Sequence, residues 1–177
     1  MNKPLWTPSE ERISKTNMKR YQRFVADEFG IKTDSYAELH KWSVQNPESF
    51  WRSIWQWGKV KANSAASDVL INGDKMPGAE WCPGAMLNYT DQIMKHVDSQ
   101  PDGDALIVQS ETFGRKRLSW SELRAQVASV AAHLRDMGVT KGDRVVAVLP
   151  NTETAMIAFL ATASIGAIWS LCAPDMG

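Results

Sequence analysis

With 20 acidic and 20 basic side chains among 177 residues, the chain has no net charge. Nothing in that balance points to a nucleic-acid or anionic-membrane partner, which usually needs a concentrated basic face, while its length is ample for a buried core. Cys82 and Cys172 have no cysteine or histidine at metal-ligand spacing and read as ordinary thiols, and the opening Met1-Asn2-Lys3-Pro4-Leu5-Trp6 has no apolar core of a secretory signal, so a cytoplasmic protein is expected.

In chain order, Thr7-Pro8-Ser9-Glu10 places a capping hydroxyl, a proline at the first helical position and a carboxylate at the third, which predicts a short helix. A second helix runs from about Asn17, with Met18, Tyr21, Val25 and Phe29 at helical spacing and Gly30 as its stop. Ser35 and Glu38 form a capping-box pattern that opens a third through Leu39 and Trp42. Asn46-Pro47-Glu48 opens a fourth, carrying Phe50, Trp51, Ile54, Trp55 and Trp57. Aromatic residues so spaced suit packing onto a larger body better than a stacking platform for nucleic acid, because only Lys41, Arg52 and Lys59 lie near them.

Residues Gly58 to Leu87 read as a connector. A strand candidate, Val69-Leu70-Ile71, is followed by the turn Asn72-Gly73 and by two Pro-Gly steps, Pro77-Gly78 and Pro83-Gly84, which predict an extended path with Trp81 as a surface anchor. Asn88 with Asp91 starts a helix through Ile93, Met94 and Val97.

From Asp104 the character changes. Ala105-Leu106-Ile107-Val108 predicts a strand, Thr112-Phe113-Gly114 a turn and Arg117-Leu118 the return. Ser119 and Glu122 form a second capping box, and the helix that follows carries Leu123, Val127, Val130, Leu134 and Met137 on one stripe before Gly138. The chain then closes on a β-α-β unit. Arg144 to Leu149 is an unbroken apolar run of the kind buried on both faces of a parallel sheet. Asn151 or Thr152 caps a helix over Thr154 to Ile165, Glu153 suits its positive end, and Ala167 to Cys172 is the second strand. A helix apolar on every side needs neighbours on every side, so this unit is expected to be the front part of a longer α/β protein. The uncharged run Ala155 to Cys172 also has the length of a membrane span, but Gly166, Thr162, Ser164 and Ser170 weaken that alternative and no basic flank sets an orientation.

Chemistry is sparse in these residues. The strand-to-helix turn Pro150-Asn151-Thr152 lacks the glycines of a phosphate loop. His40, His96 and His133 are far apart in sequence, and Arg115-Lys116-Arg117 reads as solvated charge at a hairpin. Neither a metalloprotease signature nor a nucleophile elbow is present.

Resemblance adds what the residues alone do not. Ala105-Leu106-Ile107, Leu118-Ser119-Trp120-Ser121-Glu122-Leu123, Gly138-Val139-Thr140-Lys141-Gly142-Asp143-Arg144-Val145, Pro150-Asn151-Thr152-Glu153-Thr154 and Ile165-Gly166-Ala167, in this order, resemble the opening of the AMP-forming acyl-CoA ligase superfamily. Pro4-Leu5-Trp6-Thr7-Pro8-Ser9, Leu39-His40-Lys41-Trp42-Ser43-Val44, Pro47-Glu48-Ser49-Phe50-Trp51 and the stretch Pro77 to Tyr89 are similar to the amino-terminal region of members that activate acetoacetate. Acetyl- or propionyl-CoA synthetase is the alternative within the superfamily, and a non-catalytic docking module the alternative outside it.

The resemblance implies an α/β fold, with a helical, tryptophan-rich extension and connector over 1–88 and the beginning of the adenylate-forming domain over 89–177. It implies ATP, coenzyme A and magnesium as cofactors and acetoacetate as substrate of the full-length parent. The family's phosphate loop, ribose-binding aspartate and carboxy-terminal lysine have no counterparts here, so this stretch by itself is expected to be inactive, to bind none of these cofactors and to self-associate through exposed apolar surface. One partial site is implied: the turn that meets the adenine end of coenzyme A in related enzymes matches Ala173, Pro174 and Asp175, which stand here in place of glycines.

Overall fold

The computed structural model describes residues 5–176. Met1 to Pro4, which hold most of the leader read above, and Gly177 lie outside the described residues. The chain forms two compact units, one taking it to Val60 together with Ser64–Ala85, the other combining Lys61–Asn63 with Met86 onward.

Four helices build most of the first unit. α1 (Glu10–Ser14) is capped by Ser9, whose hydroxyl accepts from the Arg12 amide at 3.3 Å. It starts two residues later than the Thr7-Pro8 pattern predicts, because this start places Glu10 and Glu11 together in the first turn, at the positive end of the dipole. α2 (Asn17–Phe29) ends at Gly30 as expected. The capping box of α3 (Tyr36–Gln45) is formed in both directions between Ser35 and Glu38. α4 (Pro47–Trp57) has Pro47 in its first turn and Asn46 at its cap position, but the Asn46 side chain makes no bond to the helix; its side-chain amide instead donates back to the Trp42 carbonyl at 3.3 Å.

Tyr21, Val25, Leu39 and Trp42 are buried at the centre of this unit, with Phe24, Phe50 and Ile54 against them. The aromatic residues pack the helices on one another: Trp42 meets Phe50 edge-on at 6.0 Å, and Trp57 lies 5.3 Å from Phe24. The Tyr21 hydroxyl reaches the fully buried Ser53 hydroxyl at 2.5 Å, so both polar groups are satisfied. Burial pushes the Tyr21 phenol above its ordinary range, against the opposing pull of the Ser53 hydrogen bond.

The connector is more ordered than its Pro-Gly steps suggest. β1 (Leu70–Ile71) pairs antiparallel with β2 (Glu80–Trp81), so the first Pro-Gly step turns the chain back on itself and does not hold it extended. Trp81 is half exposed and meets Trp51 edge-on at 5.8 Å.

The second unit contains α5 (Tyr89–Met94), the antiparallel hairpin β3 (Asp104–Ser110) and β4 (Gly114–Ser119), α6 (Trp120–Asp136), β5 (Arg144–Val148), α7 (Glu153–Ser164) and β6 (Ile168–Cys172). β5 and β6 pair in parallel, from Arg144 opposite Ile168 to Val148 opposite Cys172. The core is the seam between α6 and α7 with the end of β4: Leu118, Leu123, Val127, Ala131, Ile157, Leu160 and Ala161. Met137, assigned to the α6 stripe, is 78% exposed because the helix has already ended at Asp136.

α7 is better enclosed than its composition alone suggests. α5, α6 and β6 pack around it, and Ala155, Ile157, Leu160, Ala161 and Thr162 are buried, leaving Thr154 and Met156 exposed. The bare apolar surface lies on the sheet. Val146, Val148 and Ile168 on one face of the parallel pair are 70%, 65% and 54% exposed, so the strand read as buried on both faces is covered on one. No helix among the described residues is long and apolar enough to cross a membrane.

The carboxyl end of α7 is closed by a residue far away in sequence. The Asn88 amide donates to the Ala163 and Ser164 carbonyls at 2.9 and 3.3 Å, while its Oδ1 accepts from the Thr90 amide at 2.8 Å and so caps α5. Thr90 adds a buried bond from its hydroxyl to the Leu160 carbonyl at 2.8 Å. Asn88→Ala should therefore lower unfolding free energy by about 2 kcal/mol in urea titration, since it leaves both helices with orphaned backbone groups. Thr162 is the reverse case, a fully buried hydroxyl with no partner. Thr162→Val should raise stability by about 1 kcal/mol in the same titration, and a loss would mean that the hydroxyl is satisfied in solution.

Candidate functional site

A cavity of about 520 Å³ opens in the second unit between Leu106–Gln109 of β3, the amino end of α7 and the β6 residues Trp169 and Leu171. Its walls are apolar apart from Gln109 of β3 and the end where Asn151 and Thr152 lead into α7 at Glu153. Thr152 occupies the cap position without a side-chain hydrogen bond, so of the two residues read as caps neither performs that task through its side chain. Glu153 is held by an ion pair from the Lys116 ammonium on β4. Its Oε1 takes that bond and its Oε2 is buried without a partner.

The Lys116 hydrogen bond, chiefly, holds the Glu153 carboxyl below its ordinary range. The group is thus an ionised acceptor and not a proton donor at neutral pH. No histidine lines the cavity. His96 lies against Trp120 with ring centres 5.0 Å apart and the rings tilted by 39°, His133 is exposed on α6, and His40 lies beside Tyr36 on α3. Arg117 pairs with Asp104 at 3.1 Å, so two members of the basic cluster are engaged in ion pairs. Among the described residues no group of three histidine, cysteine, aspartate or glutamate side chains could hold a metal ion, and both cysteines are free. The Lys116–Glu153 pair was not legible in the sequence: its members are 37 residues apart, and the local pattern around each says nothing of the other.

The turn Ala173-Pro174-Asp175 leaves the carboxyl end of β6. It is exposed and closed by a bond from the Met176 amide to the Ala173 carbonyl at 3.1 Å. The Leu149 amide donates to the Cys172 carbonyl at 3.2 Å, so the turn after β5 and the turn after β6 begin side by side at the carboxyl edge of the parallel pair. That edge is where open α/β sheets bind ligands.

Comparison with known proteins agrees with this architecture. The AMP-binding enzyme profile matches residues 93–177, and that of the acetyl-coenzyme A synthetase N-terminus matches 36–93. The solved acetoacetyl-CoA synthetase from Streptomyces lividans superposes with a TM-score of 0.93 at 42% identity, over 99% of this chain and 27% of that one. The acetoacetyl-coenzyme A synthetase of Rhizobium meliloti is 38% identical over 99% of this chain and 26% of its own length. A malonamoyl-CoA synthetase of Penicillium aethiopicum is 30% identical over 98% of this chain and 24% of its own length. The chain thus spans about a quarter of the length of the curated relatives it matches.

The stretches that carry the likeness to AMP-binding enzymes hold the fold in place. Asp143 accepts from the Thr140 amide and hydroxyl at 2.7 and 2.9 Å, and those bonds lower its carboxyl pKa. Gly138 and Gly142, with φ of 87° and 91°, take left-handed conformations that other residues adopt only at a cost. The Ser119–Glu122 box closes α6, and the Ser119 amide lowers the Glu122 carboxyl pKa likewise. For each of these groups the folded pKa lies below the unfolded one. Their stabilising effect is present above the ordinary carboxylate range and is lost as pH falls through the lowered value. Acidifying from about pH 6 to about pH 3 should therefore lower the urea midpoint less in Glu153→Gln than in the unaltered chain. Equal losses would show that the Lys116 pair is broken in solution.

Proposed function

We propose that this chain is the amino-terminal part of an ATP-dependent acid-thiol ligase that activates acetoacetate and passes it to coenzyme A. The superposition on an acetoacetyl-CoA synthetase supports this most strongly, because it extends over 99% of the chain and so takes in the tryptophan-rich helical leader as well as the βαβ core. In the whole enzyme, ATP with magnesium would adenylate the carboxylate with loss of pyrophosphate, and the thiol of coenzyme A would then displace AMP. Residues 1–88 are the leader and connector in this proposal, and 89–177 begin the adenylate-forming domain of a cytoplasmic enzyme.

Ala173-Pro174-Asp175 would meet the adenine end of coenzyme A, a role supported by its place beyond the carboxyl end of β6. No residue described here would perform the adenylation or the thiol transfer. The test is pyrophosphate release by the protein of the complete reading frame, with acetoacetate, acetate and propionate compared at equal concentration. Acetoacetate should give the largest kcat/KM, and a preference for acetate would reject the assignment.

The open face of β5 and β6 argues against a self-contained docking module, since an isolated soluble unit rarely exposes a contiguous apolar strip. In this proposal the 177-residue chain alone binds hydrophobic dye and self-associates through Val146, Val148 and Ile168. The double variant Val146→Lys/Val148→Lys should shift sedimentation toward monomer and reduce dye fluorescence. An unaltered profile would place the sticky surface elsewhere.

A further inference from the structure

We draw no further inference here: the strongest candidate, the open apolar face of the β5–β6 pair around Val146, Val148 and Ile168, belongs to the reading already proposed, and nothing in the structure shows what covers it.

Discussion

The second unit depends on enclosing one helix that has a single charge. α7 carries only Glu153, in its first turn, and beyond it every residue to Ser164 is apolar or a small hydroxyl. Such a helix gains stability by burial on several sides at once, yet its last carbonyls still require donors that apolar neighbours do not have. Both requirements are met by position in the chain. α6 and β6 supply apolar cover, while Asn88 and Thr90 of the α5 segment supply the donors at Ala163, Ser164 and Leu160. At the other end Lys116 holds Glu153, so the helix is anchored to β4 through its one charge.

Local chemistry was legible where the partners lie within one helical turn. Ser35 with Glu38 and Ser119 with Glu122 are capping boxes in the sequence and in the fold, because the bonds they make span three residues. Gly30 is read correctly as a stop for the same reason. What failed needed a partner elsewhere. Glu80 and Trp81 form a strand only because Leu70 and Ile71 are brought beside them, and a period-two pattern cannot show in two residues. Met137 continues a stripe in the letters after the helix beneath it has stopped. Val146 and Ile168 look like core and are exposed, since composition does not say which face of a strand has a neighbour.

The candidate site divides in the same way. The sequence placed Asn151, Thr152 and Glu153 at a strand-to-helix turn, and the fold puts them at the polar end of the cavity. It did not show that Lys116 would reach Glu153, nor that one carboxylate oxygen would be left buried without a donor. The motifs shared with AMP-binding enzymes prove to be turns, caps and strand starts, at Thr140 with Asp143 and at Ser119 with Glu122. They identify kinship through architecture. Substrate choice is a matter of pocket chemistry, and these letters say little about it.

The double role of Asn88 bears on how the unit assembles as it is made. α5 is six residues long, too short to persist as an isolated helix in water. Its carbonyl partner at Ala163 lies 75 residues further along. During synthesis the earlier segment must remain unsettled until the later one emerges, and then both helix ends are closed by a single docking event. A loop of that size makes the step slow compared with the hairpin and the capping boxes, which need only near neighbours.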